Sequence, residues 1–251
     1  MFLTVFSMAG LPEIRPGDDV AAHILAWNAQ IDGDLRLRAD DLVVVTQKVV
    51  SKAEGRLVRL ADVKPRAEAV EFGQKWERDP RQVEVVLRES VRVLRMELGL
   101  IISETRHGFV CANAGVDLSN AGEADVACLL PDDADASARR IRDTLEQALG
   151  VRVGVMISDT FGRPWRNGIT NVAIGVAGFR PLVDYRGRSD PHGYELKSTW
   201  VAVADEMAAA AELVMGKTDR APVAVLRGYP TIWEEGSIRE LVMDSSRDLF
   251  H

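Results

Sequence analysis

The run Leu42–Thr46, LVVVT, constrains this 251-residue chain more than any other segment. A strand with one wet face alternates apolar and polar residues; a continuous apolar run describes a strand buried on both faces. Any fold that contains it must cover both sides of its sheet. Gln47–Glu54 follows at once, and Gly55 closes it as a helix C-cap would.

The rest of the pattern is mixed. Leu3–Phe6 reads as a short strand, and Asp18 or Asp19 caps a helix through Ile31. Pro65–Glu77 reads as helix, and Pro80–Arg95 starts as helix and turns to strand near Val91–Met96. Leu100–Thr105 and Phe109–Asn113 form a hairpin around His107-Gly108. Ala134–Leu149 is a helix stopped by Gly150, Val151–Ser158 a strand, and Thr199–Met215 an Ala-rich helix capped by Ser198 or Thr199 and stopped by Gly216. Pro222–Arg227 is the last strand. Strands and helices alternate without a repeated βαβ unit, which predicts an α+β fold with mixed sheets and two subdomains.

Charge removes several functions. The chain carries 31 Lys+Arg against 38 Asp+Glu, a net charge of −7, and its pI is about 5.2. That is the opposite of a general nucleic-acid binder, although a local basic pocket for a small phosphorylated ligand remains open. No run of 18 apolar residues predicts a membrane span, and the N-terminus lacks a basic leader region. Cys111 and Cys128 match neither a disulfide framework nor a paired metal motif, so they read as reduced thiols of a cytoplasmic protein.

Four segments carry chemistry. Ser158–Gly168, SDTFGRPWRNG, starts at the end of an apolar strand. There Asp159 and Thr160 offer hard oxygen ligands for Mg2+ or Mn2+. Arg163 and Arg166, on a loop restricted by Gly and Pro, suit phosphate or carboxylate oxygens; a plain turn with solvated arginines competes with that reading. Asp117 offers a second metal ligand and Asn120 a contact to base or ribose, against an ordinary Asx-type turn. Gln47 and Lys52 follow the buried strand, where Lys52 can neutralise phosphate, against a solvated helix start. Gly216-Lys217-Thr218 resembles the end of a phosphate-binding P-loop, but position 211 is Ala211 rather than glycine and the preceding segment is helical, so that motif is rejected. His23 reads as packing, His107 and His192 lie in turns, and no zinc-hydrolase or serine-hydrolase motif is present.

Seven blocks stand in one order: GLPEIRPGDD, VVVTQKVVSKAEGRL, ANAGVDLSN, SDTFGRPWRNG, AIGVAG, VADEMAAAAELVMGK and PVAVLRG. Together they resemble the coenzyme F420-0:γ-L-glutamyl ligase family, from about Leu3 to Phe250, as a standalone ligase or as the ligase domain of a bifunctional form. The resemblance implies one ligase domain over 1–251, a two-subdomain α+β fold and an intertwined homodimer. It implies GTP-dependent joining of L-glutamate to coenzyme F420-0, and γ-linked to its first product, with GDP and phosphate released. Activation of the carboxylate as an acyl phosphate is the simplest chemistry for such an amide bond.

The resemblance also implies roles. Leu11, Pro12, Glu13 and Ile14 look like a first GTP-contacting loop, with Gln47, Lys52 and Asn120 as further GTP contacts. Met215, Gly216, Lys217 and Thr218 belong to another. Asp117 and Asp159 look like ligands of one divalent ion and Thr160 touches a second, giving two Mg2+ or Mn2+ sites, with K+ a further candidate. Lys217 stands where some relatives place glutamine near the second metal, and an ammonium cannot ligate a cation. Arg163 and Arg166 are the candidates for holding the γ-phosphate or substrate carboxylates. Two other classes compete: a metal-dependent nucleotide phosphohydrolase using the same aspartates, and a non-catalytic binding module.

Overall fold

The structure is a computed structural model that describes residues 2–117 and 125–249. Along the chain come β1 (Thr4–Ser7), α1 (Val20–Gln30), β2 (Asp41–Thr46), α2 (Gln47–Ala53) and β3 (Leu57–Arg59). Then follow α3 (Ala67–Trp76), α4 (Pro80–Glu89), β4 (Ser90–Glu97), β5 (Leu100–Thr105), β6 (Val110–Ala112) and β7 (Val126–Cys128). The last third holds α5 (Ala134–Leu149), β8 (Val153–Arg163), β9 (Arg166–Ala177), β10 (Val183–Asp184), β11 (Trp200–Val201), α6 (Val203–Met215) and β12 (Val223–Arg227). The mixture is α+β, as the sequence predicts.

The main sheet has the order β1-β12-β2-β8-β9. Only β2 and β8 run parallel, from Asp41 opposite Val153 to Thr46 opposite Ser158. The apolar run of β2 is divided between two cores. Val43 and Val45 face one with Val155, Ile157 and the helices α1 and α5. Leu42 and Val44 face the other with Met156 and α6. Period-two alternation delivers successive side chains to opposite sides, so a uniform apolar run serves both. The start of β2 is anchored by a buried pair: Arg227 Nε and Nη2 each donate to an Asp41 carboxylate oxygen at 2.6 Å. Arg227 also donates to the carbonyls of Asp34 and Arg36, the latter at 2.7 Å.

A third core lies wholly within residues 60–129, from α3, α4 and the β4-β5-β6 sheet. The chain enters it through β3 and leaves through β7, and these two strands pair antiparallel, Leu57 opposite Cys128. Inside it Glu84 is buried. It accepts from Arg66 N and Nε at 2.9 Å and from Arg88 Nε at 2.8 Å. Hydrogen bonding to Arg66 chiefly pulls its carboxyl down to about 2, against the opposing effect of burial.

Several sequence expectations shift. Asp19 is the cap of α1, accepting from Ala21 N and Ala22 N. The helix placed at Thr199–Met215 begins only at Val203; Ala202 precedes it and neither Ser198 nor Thr199 caps it. Trp200 and Val201, bulky residues suited to a pleated surface, pair instead with Asp184 and Val183. The strand placed at Val151–Ser158 continues to Arg163 and returns as β9. SDTFGRPWRNG is therefore a strand hairpin with a tight tip rather than a loop. Gly162, Pro164 and Gly168 masked the strand character of Thr160 and Phe161 within it and of Ile169 and Val172 just after it. No helix among the described residues is long and apolar enough to cross a membrane.

Glu84 gives a pH test. Its carboxyl is lower in the folded state than the ordinary 4.5, so its stabilisation is full above about 4.5 and disappears as pH falls through about 2. Glu84→Gln should cost about 2 kcal/mol at pH 7. Urea unfolding of both proteins at pH 7 and pH 3 should show the difference shrinking at the lower pH.

Candidate active site

Ligands of sheets with parallel strands gather outside the carboxyl ends of those strands. Here β2 stops at Thr46, opposite Ser158, while β8 runs on to Arg163 paired only with β9. At the same corner α2 starts immediately with Gln47. Lys48 and Lys52 are four residues apart and so share a face of α2. Lys52, 7% exposed, pairs with the Glu13 carboxylate, and Lys48 Nζ lies 2.7 Å from Asp117 Oδ2. Asp117 is held in place by a two-way backbone bridge to Cys128, at 2.9 and 2.8 Å.

Asp159 is the first residue of β8 beyond the end of β2. Burial raises its carboxyl to about 7, and the nearby negative charge of Asp117 raises it further, while the Thr160 amide, Lys217 and Lys48 oppose the rise. Asp159 shares strand parity with Ile157 and Phe161, which face the core of α1 and α5. Thr160 has the opposite parity and meets the segment after α6. Its Oγ1 donates to Asn171 Oδ1 at 2.8 Å, and Lys217 Nζ reaches the same hydroxyl at 2.8 Å and Asn171 Oδ1 at 3.5 Å. Neighbours on a strand point oppositely, so the side chains of Asp159 and Thr160 cannot grip one small ion together.

The donors fit a hard cation at one of these places better than at the other. Two carboxylates, one of them half-buried and pushed toward neutrality chiefly by desolvation and further by the second, form an oxygen pair whose repulsion a Mg2+ or Mn2+ ion would relieve. Beside Thr160 an ammonium already supplies positive charge, and Lys217 is further tied to Glu212 at 2.8 Å. Among the described residues no group of three His, Cys, Asp or Glu converges as a metal cluster.

The remaining predicted residues divide by position. Glu13 joins the site through Lys52; Pro12 is exposed beside it, while Leu11 and Ile14 anchor that loop in the core. Gln47 is 2% exposed and donates to Ser51 Oγ at 2.6 Å and Leu129 O at 2.9 Å; its amide ties α2 to the end of β7. Met215 is buried beneath α6, and Gly216 caps that helix at φ 61°. Thr218 is exposed, with Oγ1 3.4 Å from Asp219 Oδ1. Arg163 and Arg166 face each other across the hairpin tip, both exposed, and Arg163 Nη2 donates to Asn167 O at 3.1 Å. Asn120 lies outside the described residues.

Residues 10–228 match the family described as F420-0:Gamma-glutamyl ligase. The chain belongs to that family. It is 43% identical to the coenzyme F420:L-glutamate ligase of Methanothermobacter thermautotrophicus, over 100% of this chain and 99% of that relative. It is 44% identical to the ligase of the same name from Methanopyrus kandleri, covering 95% and 93% of the two chains. With that of Methanocaldococcus jannaschii it shares 42%, over 96% and 94%. As a member of this family the protein is an enzyme of the ligase class.

Two polar residues of this corner, Lys48 and Asn171, were not among the residues the sequence singles out. Lys48 carried a signal, its i,i+4 spacing to Lys52. Asn171 carried none, because the strand that presents it was not foreseen. The site also predicts a chemical behaviour. Burial, with Asp159 nearby, pushes the Cys111 thiol up to about 12, and burial raises Cys128 as well. Thiolate is the reactive form, so neither cysteine should be alkylated by iodoacetamide at pH 8 in the native protein, whereas both should react in urea, as read by mass spectrometry.

Proposed function

We propose that this enzyme joins L-glutamate to coenzyme F420-0 with GTP as the energy source, passing through an acyl phosphate and releasing GDP and phosphate. The observation that carries the reading is the convergence of Asp117, Asp159, Lys48 and Lys217 at the carboxyl end of the only parallel strand pair among the described residues. Both reactants are anions, and an amide bond from a carboxylate needs that carboxylate activated. Fixed positive charge aimed at the transferred phosphoryl group lowers the barrier most. Lys48, Lys52 and Lys217 supply it from two sides of β8, and Arg163 and Arg166 extend it along the hairpin. Asp117 and Asp159 would hold a Mg2+ or Mn2+ ion, which when bound screens phosphate charge. The Glu13 loop, Lys52 and the Met215–Thr218 segment are the GTP contacts in this reading.

A homodimer belongs to the same proposal. The β4-β5-β6 sheet leaves Val91 68%, Val93 39%, Leu100 43% and Val110 46% exposed, with Leu98 79% exposed at the intervening turn. The register sets Val110 beside Glu104 and Val93 beside Ser103, so the exposed apolar side chains lie on both faces of this sheet, and a second chain wrapping it would cover them. Val91→Glu with Leu98→Glu should shift the mass in light scattering from two chains to one.

The reaction is tested by mass spectrometry of the purified chain with F420-0, GTP, L-glutamate and Mn2+. Glutamylated product should form only when both GTP and glutamate are present. Asp159→Asn should lower turnover by about a thousandfold, in the range seen when one group stabilising transition-state charge is lost. GTP hydrolysis that ignores glutamate would instead establish the phosphohydrolase reading.

A further inference from the structure

A cavity of about 310 Å3 lies on the α5 side of the main sheet, between the β5–β6 turn, the start of α5 and the segment around Ser237–Arg239. Arg106, Arg139, Arg239, His107, Phe109 and Asp133 are among its walls. Its acidic groups are engaged, save for Oδ2 of Asp133. Asp135 accepts from Val176 N at 2.8 Å and Ser237 Oγ at 2.7 Å. Asp132 pairs with Arg106 and, at 3.3 Å, with Arg56. Asp133 caps α5 through Oδ1, accepting from Ala136 N at 2.9 Å. Two of the cations are not engaged: among the described residues the guanidiniums of Arg139 and Arg239 form no ion pair or hydrogen bond, although Arg139 is half-buried. Unspent guanidiniums in a recess, each a planar fork of donors, are suited to carboxylates.

The size and position narrow the ligand. Ligand pockets span about 300–1,000 Å3, and this one stands at the small end, which favours a compact molecule over a nucleoside triphosphate. The Phe109 ring, stacked on His107, meets Phe161 edge-on with centroids 6.1 Å apart. Phe161 lies two residues beyond Asp159 on the same face of β8, about 7 Å along the strand. The cavity therefore adjoins the phosphoryl-transfer corner across one aromatic pair.

We propose that this cavity is the acceptor subsite and binds the free amino acid L-glutamate, a small dianion with one ammonium. Arg139 and Arg239 take its two carboxylates, and the Asp133 carboxylate faces its ammonium. Phe109 and Phe161 form the wall of the subsite on the β8 side, and the glutamate nitrogen would pass along that wall to the activated carboxylate. The inference rests on the ligase reading for its chemistry, but glutamate binding can be measured without turnover.

The test uses the full chain with Arg139→Met and Arg239→Met, which remove charge but keep bulk, and Arg139→Lys as the conservative variant. Each Met variant should raise the KM for L-glutamate about tenfold or more, the loss expected for one charge-assisted pair. KM for GTP and for F420-0 should stay within twofold, thermal midpoints should be unchanged, and Arg139→Lys should recover part of the loss. A glutamate KM within twofold of the parent overturns the proposal. So does a rise confined to the KM of F420-0, which would give the cavity to the phosphate of that precursor. Saturation-transfer NMR with L-glutamate separates this inference from the ligase reading. Arginine-dependent binding without any glutamylated product keeps the subsite and removes the reaction; product formation with no arginine dependence does the reverse; no binding and no product ends both.

Discussion

The pairing of β2 with β8 is the constraint on which the rest depends. It is parallel, so both chains point their carboxyl ends the same way, and it is covered on both faces by separate apolar cores. Register in such a strand is fixed from both sides at once, because a slip of one residue would exchange every side chain between the cores. The Asp41–Arg227 pair secures the other end of β2 by a bidentate contact. A strand held this firmly at its start delivers Thr46, and the helix that begins one residue later, to a fixed position beside Asp159.

The chemistry of the site follows from where that strand ends. While β2 is present, the edge of β8 is occupied; beyond Ser158 it is open, and the first side chain past that point is a carboxylate. Asp159 is buried enough that ionising it is costly, and Asp117 makes it costlier. Lys48 and Lys217 offset this from different directions, one from α2 and one from the segment after α6. A site of this kind has large charges of both signs in a partly desolvated corner, where each is worth more than in water.

The two-faced strand, α5, α2 and the α+β class were legible in the sequence because each rests on local rules: apolar continuity, caps and stop signals. Asp159 and Thr160 were read as the start of a loop after Ser158, whereas they lie within β8, which runs on to Arg163. Their opposite facing was not legible, since SDTFGRPWRNG reads as a loop until β9 is known to return alongside it. The start of α6 was misplaced because alanine-rich helix propensity was extended over Trp200 and Val201, which a two-residue pairing claims. Gln47 looked like a free amide; only long-range contact with Leu129, 82 residues on, shows its donor already used. Sites drawn from distant segments are set by topology, and topology is the level that local patterns specify least.

Residues 60–129 leave and rejoin the main body through one pair of adjacent strands, β3 and β7. That neck is not the only tie, because Phe109, inside the excursion, meets Phe161 of β8 edge-on. Asp117 belongs to one side of it, fastened to Cys128, and Asp159 to the other. A cation held by both carboxylates would therefore tie the excursion to the main sheet at one more point. In mechanical terms such an ion would act as a rivet between a loop of chain about seventy residues long and the strand it returns to.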